Sequence, residues 1–112
     1  MTTLAIQITT SGEVRELDSI ELETLQKAVG GWVQAIGLRP DLTLWLNEES
    51  KLLGLPHNQI GQAFWDNVYG EGTDYITGDV VFTGGTDEDG ETLALSDDIA
   101  EAVKRRASEI LG

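Results

Sequence analysis

The apolar positions of this chain change period several times, and each change predicts a change of element. Leu4-Ala5-Ile6-Gln7-Ile8-Thr9 is short and rich in β-branched residues, which predicts a first strand with Ser11-Gly12 as the turn behind it. Val14-Arg15-Glu16-Leu17 is expected to pair back. The pattern then turns helical, because Leu22, Leu25, Ala28 and Val29 recur at i, i+3, i+6 and i+7, the spacing of one helix face. Ahead of them, Asp18-Ser19-Ile20-Glu21 reads as a capping box, with Asp18 accepting an early amide and Glu21 reaching back. Gly30 suits the left-handed position that ends a helix.

Alternation returns in Trp32–Ile36 and Leu42–Leu46, two expected strands of an antiparallel hairpin joined by Gly37-Leu38-Arg39-Pro40-Asp41. Leu42, Leu44 and Leu46 should face a core, which puts Trp45 on the other face and partly exposed. Residues 47–57 carry turn chemistry, and Asn58 is placed to cap a helix from about Gln59 to Tyr69 that buries Ile60, Phe64 and Val68. Val80-Val81-Phe82-Thr83 is nearly all apolar, which predicts burial on both faces and a central place in a sheet. Asp89-Gly90 marks a tight turn, Thr92–Leu95 a short returning strand, and Ser96 the cap of a last helix carrying Ile99, Val103, Ala107, Ile110 and Leu111. The expectation is one α+β domain over residues 1–112, with a mixed, mostly antiparallel sheet and about three helices packed on it.

Composition narrows the classes. A chain of 112 residues with 40% hydrophobic content has enough apolar surface for one core. No run of about 18 apolar residues occurs, and the start Met1-Thr2-Thr3-Leu4 lacks the pattern of a secretion signal, so a soluble, cytoplasmic protein is expected. The absence of Cys removes disulfides, thiolate catalysis and thiolate metal sites.

Charge says more. The net charge is -13, and between Leu52 and Val103 eleven acids occur with no Lys or Arg. Such a field repels nucleic acid and anionic lipid, and it attracts proteins that bind phosphates. Asp87, Glu88, Asp89, Glu91, Asp97 and Asp98 are therefore the candidate partner-binding surface, and a well-solvated acidic face is the plainer account. Lys104, Arg105 and Arg106 are ascribed to the negative end of the last helix.

Catalytic equipment is sparse. His57 is the only histidine, and a lone His beside a helix cap is more often a surface residue than a general base. One His without Cys makes zinc improbable. An EF-hand register through Gly90 would place Gly85 and Ser96 at ligand positions that need carboxylates. Neither Gly30-Gly31 nor Gly84-Gly85 stands in a phosphate-loop context. No catalytic residue, metal or cofactor is expected, and the chain is read as a non-enzyme. A second candidate surface is the loop region with Trp45, Asn47, Glu48, Glu49, His57 and Asn58, suited to a small ligand; the alternative is that its asparagines serve turns and caps while Leu52, Leu53 and Leu55 plug the core.

Three ordered segments carry a resemblance. Leu25–Gly31, Asn47–Asn58 and Ile76–Val81, spanning about residues 22–95, resemble a domain of unknown function numbered 3846, carried mainly by bacteriophages and by mobile elements of actinobacteria. The resemblance brings no established activity with it. With the charge pattern, it leads to the expectation of a non-enzymatic accessory protein that binds a host protein in the host cytoplasm, by an acidic surface imitating nucleic acid, in anti-defence or host takeover. The alternative is a small-molecule or nucleotide-signal sequestering protein using residues 45–58. Trp32, Trp45 and Trp65 are candidates for a homodimer contact.

Overall fold

The structure, a computed structural model, describes residues 3–111. Its elements in chain order are β1 (Ala5–Ile8), β2 (Val14–Leu17), α1 (Leu22–Val29), β3 (Val33–Arg39), β4 (Leu42–Asn47), α2 (Gln59–Tyr69), β5 (Val80–Thr83) and α3 (Asp97–Leu111). The five strands form one sheet in the order β2-β1-β5-β4-β3, antiparallel at every pairing. The fold is α+β, as the alternation of periods indicates.

The central place of β5 follows from its side chains. All four residues of Val80–Thr83 are buried, so the strand carries nothing that needs water on either face and can sit between two others. It joins two hairpins, pairing Phe82 with Ile6 of the first and with Leu44 of the second. The outer strands β2 and β3 carry the exposed residues, among them Arg15, Glu16 and Arg39, which discourage further pairing at the edges.

Period-2 alternation divides the core between two faces. On one, α1 covers Ala5 and Val81 with Leu25 and Val29, and Trp45 packs beside them. On the other, α2 and α3 bury Ile6, Ile8, Leu44 and Phe82 beneath Ile60, Val103 and Ala107, and the Phe64 and Phe82 rings meet at 4.7 Å. The helix spacing read from the sequence identifies most of these buried faces, but Leu22 on α1, Val68 on α2 and Leu111 on α3, which share the same stripes, are exposed at the helix ends.

Four local expectations are corrected. The capping box at Asp18 does not form: α1 has Glu21 at its N-cap with no side-chain bond, because Ser19 Oγ instead accepts from the Glu21 amide and from Thr24 Oγ1. The second hairpin turns more tightly, with β3 running to Arg39 and pairing it to Leu42 across Pro40-Asp41, after a register shift between Gly37 and Arg39. Thr92–Leu95 is not a strand. Leu93 exchanges bonds with Gly84 and Gly85 while the Leu95 amide reaches the carbonyl of Leu4, just ahead of β1, so the segment's partners alternate and no continuous ladder develops. Leu52 is 86% and Leu53 57% exposed, so neither plugs the core.

Gly84 and Gly85 have a packing reason for their identity. A Cβ on Gly84 would lie 2.4 Å from the Ala94 carbonyl oxygen, and one on Gly85 would lie 2.0 Å from that of Pro40. Both obstacles are backbone atoms. The chain leaves β5 beneath the β3–β4 turn, and this close approach carries it into the acidic loop.

Candidate functional site

The acidic loop is built around Asp87. Its Oδ1 accepts the amides of Asp89 and Glu91, each at 2.9 Å, while the Asp87 amide donates to the Glu91 carbonyl and the Gly90 amide to that of Asp87. The side chain mimics a turn of backbone, as Asp does in such loops. Asp87, Glu88, Asp89 and Glu91 are all exposed. Asp97 and Asp98 are also exposed, in the first turn of α3, behind Ser96, whose Oγ accepts the Ile99 amide at 3.2 Å as expected. The Leu95–Leu4 bond anchors that helix start at the beginning of β1, and β1 runs antiparallel to β5. All six carboxylates thus stand at the end of the sheet where β5 finishes.

The candidate residues between 45 and 58 are divided. Asn47 is buried: its Nδ2 donates to the Val29 carbonyl at the end of α1, and its Oδ1 accepts the Glu49 amide at 2.8 Å. Asn58 is 1% exposed. Its Oδ1 accepts the Gly61 amide at 2.9 Å as the cap of α2, and its Nδ2 donates to the carbonyls of Ile8 at 3.1 Å and Gly78 at 2.9 Å. Both asparagines hold elements together. Glu48, Glu49 and His57 remain exposed, and the His57 ring stacks on Tyr75 at 4.4 Å with its Nε2 3.1 Å from Gln62 Oε1. The Lys51–Asp74 ion pair ties the tip of this loop to the Tyr75 segment. Its hydrogen bond, more than the Tyr75 amide, holds the Asp74 carboxyl below the ordinary value of 3.8 against an opposing desolvation.

Trp45 belongs elsewhere. It lies on the α1 face, half-buried, with Nε1 donating to Thr83 Oγ1 at 2.7 Å. There it lines a recess of about 340 Å³ with Glu21, Leu22 and Glu91. The sequence assigns Trp45 and Glu91 to two different surfaces, and the fold brings them to one. The other tryptophans are dispersed: Trp65 packs on the opposite face against Tyr69, and Trp32 is 66% exposed before β3.

Sequence reasoning misses a third region. Because α3 continues to Leu111, its last turn holds no basic residue, and the end of the helix dipole does not account for Lys104, Arg105 and Arg106. Lys104 is paired with Glu101 at 3.0 Å and Glu16 at 3.2 Å; the Glu101 bond first, then Glu16, raises its pKa above the ordinary 10.5. Arg105 and Arg106 form no ion pair among the described residues. With Arg39 they line a cavity of about 280 Å³ between α2, α3 and the second hairpin. The basic run was visible in the sequence, but Arg39 stands 66 positions before Arg105 and only the packing joins them.

Among the described residues no three His, Asp or Glu side chains gather as a metal site, and no helix is long and apolar enough to cross a membrane. No curated protein and no solved structure matches this chain. The family model of the domain of unknown function DUF3846 matches residues 1–108, almost the whole chain, and the protein belongs to that family.

Proposed function

We propose that this is a non-enzymatic accessory protein of a phage or mobile element that binds a host protein in the host cytoplasm, presenting an acidic surface in place of nucleic acid. The observation that carries this reading is the exposure of Asp87, Glu88, Asp89, Glu91, Asp97 and Asp98 at one end of the sheet, in a stretch without Lys or Arg. The loop is held in shape by its own backbone and Asp87, so less ordering entropy opposes binding. The recess of Trp45, Glu21 and Glu91 suits an arginine side chain, which combines an aromatic contact with carboxylate pairing.

A basic nucleic-acid-binding protein is the partner class this surface fits. The test is capture from host lysate by the tagged protein, at low and high salt, with the wild type and with D87N/E88Q/D89N/E91Q. Asn at position 87 keeps the Oδ1 acceptor, so the loop should keep its shape. The reading expects a stoichiometric basic protein that salt releases and the neutralised variant fails to retain. Capture of the same protein by both forms would reject it. Sequestration of a small molecule by residues 45–58 is the weaker reading, since Trp45, Asn47 and Asn58 are already engaged within the fold.

A further inference from the structure

We infer that the trough between α2 and α3 is a binding site for a single-chain organic carboxylate, a ligand separate from the protein partner proposed above. Much of its lining is apolar: Leu38 and Leu42 from the second hairpin, Phe64 and Val68 from α2, and Ile99 and Val103 from α3. Val68 is 41% exposed, so the trough opens to solvent. Arg39, Arg105 and Arg106 line it as well, three of only four arginines in a chain of net charge -13. An apolar trench with a few polar groups at its mouth is the usual form of a small-ligand site.

Size and charge narrow the ligand. A volume of about 280 Å³ lies near the lower end of ligand pockets, roughly 300–1,000 Å³, which suits one alkyl chain and excludes a two-tailed lipid or a dinucleotide. Arg39 leans on Asp41 at 3.7 Å, and Glu109 lines the trough beside Arg105 and Arg106, so about one positive charge is left uncompensated. Asp66 and Glu71 stand in the adjoining recess that Arg106 also lines, and Arg105 does not line that recess, so Arg105 is the guanidinium that carries the uncompensated charge. A monoanion fits this balance and a polyphosphate does not. A guanidinium binds a carboxylate through two parallel N–H···O bonds, so Arg105, with Arg106 beside it, would hold the head while the tail lies along Val68, Ile99 and Val103.

Decanoate below its micellar concentration is the probe, with decanol as the uncharged control, titrated into the intact protein by calorimetry and by amide NMR. The expected result is saturable one-to-one binding, with decanol weaker by roughly tenfold or more, as loss of a charge-assisted bond implies. A102W, at an exposed lining position, should fill the trough and abolish binding. R105Q/R106Q should weaken decanoate roughly tenfold while leaving decanol nearly unchanged. Circular dichroism and melting of both variants establish that they fold, and each tests the site without the other. Absence of saturable binding, equal affinity for decanol, or unaltered binding by both variants would overturn the inference. So would capture of the protein by phosphatidylglycerol vesicles without binding of monomeric decanoate, or sedimentation showing the wild type as a dimer that A102W dissociates.

Discussion

Replacing Asn58 tests whether the end of the Asn47–Asn58 segment is a ligand site or a structural joint. The side chain is buried and makes three bonds, accepting from Gly61 and donating to the carbonyls of Ile8 and Gly78. It therefore ties α2 to β1 and to the segment entering β5. N58A removes a helix cap, worth about 1 kcal/mol, and leaves two buried carbonyls without these donors, each costing roughly 1–3 kcal/mol. Allowing for other partners of those oxygens, the expected loss is about 3–5 kcal/mol, a large part of the roughly 5–15 kcal/mol by which such domains are stable. N58S, which can still cap, should lose about 1 kcal/mol less. N58D keeps a capping oxygen but sets a carboxylate against two carbonyl oxygens, and at neutral pH it should be the least stable of the three. Burial and those oxygens would raise the folded pKa of the introduced carboxyl, so its deficit should be smallest below the unfolded value of about 3.9 and grow as pH rises toward the folded one. Urea unfolding followed by tryptophan fluorescence measures each difference. A loss below about 1 kcal/mol for N58A, or N58D as stable as the wild type at neutral pH, would refute the structural role.

Two further outcomes are expected. G85A puts a methyl carbon 2.0 Å from the Pro40 carbonyl oxygen, and because backbone must move, the cost should reach at least about 3 kcal/mol, the upper end for overpacking; an unchanged melting temperature would show that the loop is not held there. K51M removes the partner that lowers the Asp74 pKa. A lowered folded pKa contributes stability above the unfolded value and loses it as pH falls through the folded one. The variant should therefore be less stable than wild type by under about 1 kcal/mol at neutral pH, as for exposed pairs, with the difference closing in acid below the ordinary carboxylate range. A gap that persists in acid would contradict the pairing.

The surfaces were less legible than the core. Asp87, Glu88, Asp89, Glu91, Asp97 and Asp98 read correctly as exposed, since charged residues beside a tight turn or at a helix start have little reason to be buried. Leu52 and Leu53 did not, because a leucine in a turn gives no sign of which way it points. Asn47 and Asn58 looked equally suited to a ligand or to a cap, and burial decides the matter. The arginine trough had only half a signal, a basic run whose distance from the helix end depends on where α3 stops.

Periodicity by itself determined the three helices, the five strands in outline and most of the buried faces, because side-chain direction repeats every 3.6 residues in a helix and every 2 in a strand; it also suggested a strand at Thr92–Leu95 that does not form. It also placed β5 at the centre, since a strand apolar on both sides needs cover on both. Which distant residues meet was decided by tertiary structure alone: Trp45 with Glu91, Arg39 with Arg105 and Arg106, Asn58 with Ile8. Each of these juxtapositions arises from strand order and from the face on which a helix docks, and both are fixed by the packing of all elements together and by no local pattern.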